Sequence, residues 1–148
     1  MRRFKIFWSL LVFTLFILPV KGFSEEKEKK HPIDVWVDRC FDKAPQEYSL
    51  AQDLAILKCL AQAYEMWNKE LNKVYGELMQ QLNDEEKKLL RDSQKKWLAY
   101  RDAEFKFIDT WQNLPGFDAS FLRYTRKIEI IRSRVLQLEL YLNKDKQK

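Results

Sequence analysis

The chain has 148 residues and a formal net charge of +5. Four basic residues and no acidic ones lie in residues 1–24, so the remaining 124 residues carry 23 basic and 22 acidic side chains. With a net charge of +1, nothing in the overall charge balance indicates a binder of nucleic acid or of a membrane surface. A length of 124 residues provides one domain with a single core rather than two.

Residues 1–24 have the layout of a secretory signal peptide. Basic residues precede an apolar run from Ile6 to Val20, and the small residues Gly22 and Ser24 come just before the predicted cleavage after Ser24. The alternative is an uncleaved membrane anchor, but the run of 15 residues is shorter than the roughly 20 that cross a bilayer. The sequence therefore predicts a periplasmic or secreted protein that is not inserted in the membrane after cleavage.

Two cysteines, Cys40 and Cys59, follow a charged segment at residues 25–31 that we expect to be a flexible spacer. In an exported protein an even pair of cysteines predicts a disulfide. Closing that loop stabilises the fold by about 3 kcal/mol in the chain-entropy model. The alternatives are two reduced thiols or a metal site. Because the single histidine, His31, lies in the expected spacer, neither a metal nor another cofactor is predicted.

The predicted domain occupies residues 32–143. Apolar residues from Ile33 to Phe41 recur at helical spacing and predict a short helix, which the disulfide joins to the next helix. A capping box of Ser49 and Gln52 begins the first long helix. Its apolar seam consists of Leu57, Leu60, Tyr64, Trp67, Leu71, Val74, Leu78 and Leu82.

A second capping box, Asn83 and Glu86, follows after almost no loop, which predicts an antiparallel helix pair. The second long helix is expected from about Asp84 to Trp111, and Pro115–Gly116 ends it. The third long helix, from the turn to Leu142, is expected to have Asp118 or Ser120 as its cap. Residues 144–148 are expected to be a solvated tail. The prediction is an all-α fold, an up-down-up bundle of three long antiparallel helices with a short, disulfide-stapled N-terminal helix.

The second long helix has an unusually polar inward face. Gln94, Trp97 and Arg101 lie on one face, because their spacing matches the helical repeat. If residues equally distant from the hairpin turn face each other, Asn72 lies opposite Gln94, which predicts a hydrogen bond from Asn72 to the Gln94 or Trp97 side chain. On the same count Glu65 lies opposite Arg101 and is its candidate ion-pair partner. The sequence offers Arg132 or Arg134 as the partner of Asp102. The predicted polar cluster comprises Asn72, Gln94, Trp97, Tyr100, Arg101 and Asp102.

This polar cluster has two interpretations. In the first, its paired polar groups set the register of the helices within the bundle. In the second, Tyr100, Arg101 and Asp102 line a groove between helices and hold a partner or ligand. Tyr100 points about 100° away from Arg101 around the helix, so we expect it to be the more exposed of the two.

Three signatures together resemble one family. They are Cys40 followed by Cys59, the segment Trp67–Tyr75, and the segment Gln94–Glu104. The combination resembles the small exported bacterial domains of the LprI-type lysozyme inhibitors, over about residues 31–142. The resemblance implies binding and inhibition of lysozyme, and it implies no catalytic residues and no cofactor.

The chain departs from this family pattern at two positions. Asn68 stands where many relatives have an aspartate, and Phe105 stands where many have a cysteine. The absence of that thiol leaves Cys40 and Cys59 as each other's only partners. It also puts in doubt a disulfide that ties the second long helix to the rest of the domain.

The predicted function is protein binding without catalysis, with lysozyme as the partner that the resemblance implies. Acidic residues at positions 84–86 and at Asp34 and Asp38 are local candidates for contact with a basic lysozyme. The alternative is a helical interaction module for another envelope protein, with Trp36 and Trp111 contributing an exposed apolar patch. An enzyme is not predicted, because the sequence suggests neither two carboxylates flanking a cleft nor a base beside a nucleophile.

Overall fold

The computed structural model describes residues 30–111 and 115–143. The predicted signal peptide, the first part of the expected spacer and the predicted tail lie outside these ranges. Four helices make up the described fold: α1 (Pro32–Asp42), α2 (Leu50–Gln81), α3 (Asp84–Trp111) and α4 (Phe117–Leu142). The described ranges contain no strand, so the all-α prediction is confirmed. None of their helices has the length and apolarity needed to cross a membrane.

Local capping signals determine where α2 and α3 begin. The backbone N–H of Gln52 donates to Ser49 Oγ at 3.3 Å at the start of α2. At the start of α3, the Glu86 N–H donates to Asn83 Oδ1 at 2.9 Å, and the Asn83 N–H donates to Glu86 Oε2 at 3.0 Å. Both predicted capping positions are thus confirmed, since each depends only on residues three apart.

The beginning of α4 differs from the prediction. Its N-cap is Gly116, which makes no side-chain cap hydrogen bond, and neither Asp118 nor Ser120 takes that role. Gly116 has a φ of 115°, a conformation that a residue with a Cβ rarely adopts. The backbone conformation of Gly116 therefore marks the start of α4.

The N-terminal helix α1 is fixed at both ends. Its N-cap is His31, whose Nδ1 accepts a hydrogen bond from the backbone N–H of Ile33 at 3.2 Å. The imidazole also packs on Trp67, with ring centroids 4.4 Å apart. The expectation that His31 belongs to a flexible spacer is therefore wrong, because its ring is packed within the domain. Near the other end, the predicted disulfide between Cys40 and Cys59 is confirmed.

The core forms mainly between α2 and α4, with one residue from α1 and a smaller contribution from α3. Its buried side chains are Ile33, Trp67, Leu71, Val74, Leu78, Leu90, Ile131, Val135 and Leu138. Helix α1 packs on α2, and α3 packs on α4. In α3 only Leu90 and Ile108 are buried, so this helix presents much of its apolar surface to solvent. The up-down-up order of the long helices stays a prediction.

Candidate binding groove between α3 and α4

One charged side chain is buried among the described residues, and it belongs to α4. Arg134 is only 5% exposed. It follows Ile131 by three residues and precedes Leu138 by four, so it lies on the face of the helix that enters the core. A buried charge needs hydrogen-bonding partners to remain stable there.

The partners of Arg134 are neutral. Its Nε donates to Gln94 Oε1 at 3.0 Å, and its Nη2 donates to Ser93 Oγ at 3.2 Å. Its Nη1 donates to Gln137 Oε1 at 2.7 Å. Burial lowers the pKa of the Arg134 guanidinium from its ordinary value, but an arginine remains protonated in proteins. Within the described part of the chain, no carboxylate compensates this buried positive charge.

The carboxylate nearest in sequence on the same side of α4 is already engaged. Glu129 Oε1 accepts a hydrogen bond from Ser133 at 3.0 Å and lies 3.7 Å from Nη1 of Arg132. It shares with Arg134 the lining of the groove described next, but it makes no ion pair with that guanidinium. Glu129 therefore does not neutralise the charge of Arg134.

Trp97 lies between two guanidinium groups that differ in their surroundings. The Cζ atoms of Arg101 and Arg134 lie 5.6 Å and 5.8 Å from the centroid of its ring. Such distances allow a cation–π attraction for both. Arg101 also has a counterion, since its Nη2 lies 2.6 Å from Oδ1 of Asp102. The two arginines therefore differ. Arg101 is partly exposed and neutralised by Asp102, whereas Arg134 is buried and has no carboxylate partner among the described residues.

The space beside Arg134 is a groove of about 380 Å³ between α3 and α4. Trp97 and Tyr100 of α3 and Ile130 of α4 supply apolar and aromatic walls, while Gln137 supplies an amide. Glu129 and Ser133, which are hydrogen-bonded to each other, complete the lining. Tyr100 is about half exposed and stands at the open side. We call this set of residues the Arg134 groove. Its chemistry suits a negatively charged group that has an apolar neighbour.

The structure unites half of the predicted polar cluster. Gln94, Trp97 and Tyr100 lie at the Arg134 groove or bond its guanidinium. Asn72 is exposed on α2, whereas Gln94 accepts its hydrogen bond from Arg134 instead of from Asn72. The predicted pairing failed because it assumed that the polar face of α3 meets α2. In the structure this face meets α4.

The ion pairs predicted for the same cluster also differ. Arg101 binds the adjacent Asp102, with its Nε 2.9 Å from Oδ1, rather than Glu65 on α2. Neither arginine proposed for Asp102 binds it, because Arg132 forms a two-nitrogen contact with Asp34 of α1 at 2.9–3.0 Å. Arg134 is the functional candidate that sequence reasoning missed as a groove residue. Its position within the apolar repeat of α4 was the signal that could have revealed it.

A second group of side chains has the composition of a metal site. One atom each from His31, Glu70 and Glu139 lies within 4.8 Å of the others. However, Nδ1 of His31 accepts a hydrogen bond from Ile33, so the proton of the neutral ring is on Nε2. That proton faces Glu139, whose Oε1 is 3.5 Å away, and Lys73 binds Glu70 at 2.8 Å. A metal would need the Nε2 lone pair, so the geometry favours a His31–Glu139 contact.

An exposed aromatic pair lies near the end of α3. Phe107 and Trp111 are 58% and 61% exposed. Their rings are nearly parallel, with an interplanar angle of 7° and centroids 6.0 Å apart. Trp36, which the sequence grouped with Trp111, is half-buried in α1. The aromatic pair is thus an apolar surface separate from the Arg134 groove.

Comparison with known families decides what kind of protein this is. The family model for lysozyme inhibitor LprI matches residues 44–138, well over half of the chain. The chain belongs to the LprI lysozyme-inhibitor family. The LprI match includes all of α2 and α3 and both sides of the Arg134 groove, whereas α1 with Cys40 precedes it.

Two individual proteins are similar to this LprI family member. The uncharacterized protein YecT of Escherichia coli K12 is 29% identical over 157 aligned positions, which cover 93% of each chain. A crystal structure of an uncharacterized protein from Burkholderia thailandensis has a TM-score of 0.65 at 20% identity, and it covers 77% of this chain. The chain matches 54% of that protein's length, so it spans about half of it. This likeness supports the fold alone.

Proposed function

We propose that the protein is exported and acts by binding another protein, with a lysozyme as its partner and without catalysing a reaction. Membership in the LprI family supports the choice of lysozyme. The observation that carries protein binding is Arg134, a buried cation at an open groove that forms no ion pair with a carboxylate of the described residues, since Glu129 of the same groove binds Ser133 and Arg132. A partner that brings a negative charge completes this site.

The chemistry of the described residues supports a non-catalytic role. Both cysteines form the disulfide, so neither is a thiolate nucleophile. Both ring nitrogens of His31 face groups of the domain itself, the Ile33 N–H and Glu139. The carboxylates of Asp34 and Glu129 bind arginine and serine side chains rather than facing each other across a cleft.

Electrostatics favours one end of the bundle for approach to a basic lysozyme. Asp34 and Asp38, the acidic candidates on α1, are neutralised by Arg132 at 2.9 Å and by Lys30 at 2.8 Å. The acidic first turn of α3 includes Asp84, which is fully exposed and makes a long ion pair with Lys87, whose Nζ is 3.9 Å from Oδ1. This end therefore contributes more to steering a basic partner than α1 does.

We further propose the up-down-up arrangement, with a domain at residues 32–143 that follows a signal peptide at residues 1–24. Contacts between α3 and α4 support antiparallel packing. Asp109, near the end of α3, binds Lys127 at 2.7 Å. Gln94, near the start of α3, binds Arg134, which lies farther along α4. Residues later in α3 thus contact residues earlier in α4, which is the pattern of two antiparallel helices.

A lysis assay tests the lysozyme proposal. Purified protein comprising residues 25–148 is added to lysozyme, and the clearing of a bacterial cell-wall suspension is followed by turbidity. We expect the rate of clearing to fall as the protein approaches stoichiometric amounts, while an equal mass of serum albumin has no effect. Unaltered clearing at a large molar excess contradicts inhibition of that lysozyme.

The exposed aromatic pair favours a second candidate, a module that binds another envelope protein. Phe107 and Trp111 are mostly exposed, and exposed aromatic side chains are characteristic of interface centres. The discriminating experiment is crosslinking in envelope extract with wild-type protein and with the double substitution Phe107→Ser/Trp111→Ser. A crosslinked species that the double substitution removes, and that contains no lysozyme, supports this candidate.

A further inference from the structure

We propose that the Arg134 groove recognises a carboxylate carried on a short acidic peptide segment of the partner, with an apolar side chain next to it. The inference deepens the proposed protein-binding function and rests on it. It assigns the chemistry of the bound segment, which neither the family match nor the relatives specify.

The hydrogen bonds of Arg134 leave capacity for a carboxylate. A guanidinium has five N–H donors, and three are used, one on each nitrogen. One N–H therefore remains on each terminal nitrogen. Two such donors are the number that a carboxylate engages in a bidentate pair.

Two other arginines of the domain show what Arg134 lacks. Arg132 holds Asp34 through two nitrogens, and Arg101 holds Asp102 through two nitrogens. Both of these arginines are more exposed than Arg134, so water would solvate their charge even without a carboxylate. The most buried of the three is the one without a carboxylate partner in the described chain. This distribution of charge points to an external anion at Arg134.

The walls of the Arg134 groove indicate how the carboxylate is presented. Trp97, Tyr100 and Ile130 offer an aromatic and apolar surface beside the cation, which suits a hydrophobic side chain adjacent to the acidic one. A volume of about 380 Å³ accommodates one or two side chains rather than a folded surface. Because Arg134 is recessed, a projecting acidic side chain reaches it more readily than a flat protein face.

A peptide titration tests the inference on the wild-type protein. The Nε–H of Arg134 and the indole N–H of Trp97 are followed by ¹⁵N NMR during addition of N-acetyl-Phe-Glu-amide. The matched probes are N-acetyl-Phe-Gln-amide, which lacks the charge, and sodium acetate at equal ionic strength, which lacks the peptide. We expect saturable shifts of both signals with the Glu peptide and affinities about tenfold weaker for the other two probes.

Each alternative outcome overturns a defined part of the inference. Equal responses to the Glu and Gln peptides, or no response to either, overturn carboxylate recognition. An acetate affinity equal to that of the Glu peptide overturns the peptide as its source. The titration contains no lysozyme, so its failure is distinct from a failure to inhibit lysis.

Substitutions locate the binding. Arg134→Met should abolish the peptide-induced shift of Trp97, whereas Arg101→Gln, on the other guanidinium near the same ring, should leave the affinity unchanged within about twofold. If Arg134→Met does not fold, Tyr100→Ala replaces it, because Tyr100 is half exposed and lines the groove. Unchanged affinity in Tyr100→Ala or in folded Arg134→Met places the peptide elsewhere and overturns the assignment.

Discussion

Replacing Arg134 by methionine removes the guanidinium and keeps an unbranched stem in the core face of α4. Two of the three acceptors, on Ser93 and Gln137, belong to exposed residues and regain water. The half-buried Gln94 loses a hydrogen bond to a charged group, about 1.5–3 kcal/mol. Relief of a buried charge offsets this by a similar amount. We therefore expect the free energy of unfolding of Arg134→Met to stay within about 1 kcal/mol of wild type.

Arg134→Ala provides the contrast, because it also removes the stem. Loss of the two buried methylene groups beyond Cβ should lower the free energy of unfolding by about 1.5–2 kcal/mol. Arg101→Ala is the control for a guanidinium near Trp97 that has its own counterion, Asp102. We expect it to cost about 1 kcal/mol or less, since that ion pair is largely solvated.

Urea unfolding, followed by far-UV circular dichroism at 25 °C, measures these differences from the transition midpoints at a common m-value. A methionine variant that is as destabilised as the alanine variant contradicts this expectation. It would mean that the bonds of the Arg134 guanidinium are a net source of stability in the free protein. The buried charge would then be explained without any ligand.

Three further predictions follow from local features of the fold. Cys40→Ser/Cys59→Ser should lower the free energy of unfolding by about 3 kcal/mol, as measured by thermal melting, because the cysteines are 19 positions apart in the sequence and their bond closes that loop; an unchanged melting temperature contradicts this. Asn83→Ala should cost about 1 kcal/mol in urea unfolding through loss of the α3 cap, and Asn83→Asp should restore most of it. Phe107→Ser/Trp111→Ser should stay within about 0.5 kcal/mol of wild type, since both rings are mostly exposed; a fall above about 2 kcal/mol would show that the pair is structural.

The parts of the fold that depend on neighbouring residues were predictable from sequence. The Asn83–Glu86 capping box and the span of α3 follow from signals within one or two helical turns. The Gly116 cap was missed because Asp118 and Ser120 are better caps by residue type. What decides the position is the backbone conformation at Gly116, with its positive φ. The N-cap role of His31 was missed because histidine is not one of the residue types that usually cap a helix. Pro32 at the first helical position is nevertheless a known start signal.

The candidate site was less predictable, because it depends on which helix faces α3. The sequence indicated that Gln94 and Trp97 form an inward polar face, and both contact or bond Arg134. Their partners were sought on α2 by counting from the hairpin turn, whereas α3 packs on α4. A residue count cannot distinguish these two packings. The spacing of Arg134 between Ile131 and Leu138 does carry the missing information, since it places a charge on an apolar face.

Isothermal titration calorimetry of lysozyme with residues 25–148 measures protein binding and its dependence on Arg134 in one experiment. We expect saturable binding at one molecule to one, weakened about tenfold or more by Arg134→Met. Arg101→Gln, outside the Arg134 groove, should bind with the wild-type affinity. Absence of binding by the wild-type protein would contradict lysozyme as the partner, and an Arg134→Met variant that binds as tightly as wild type would exclude the Arg134 groove from the interface.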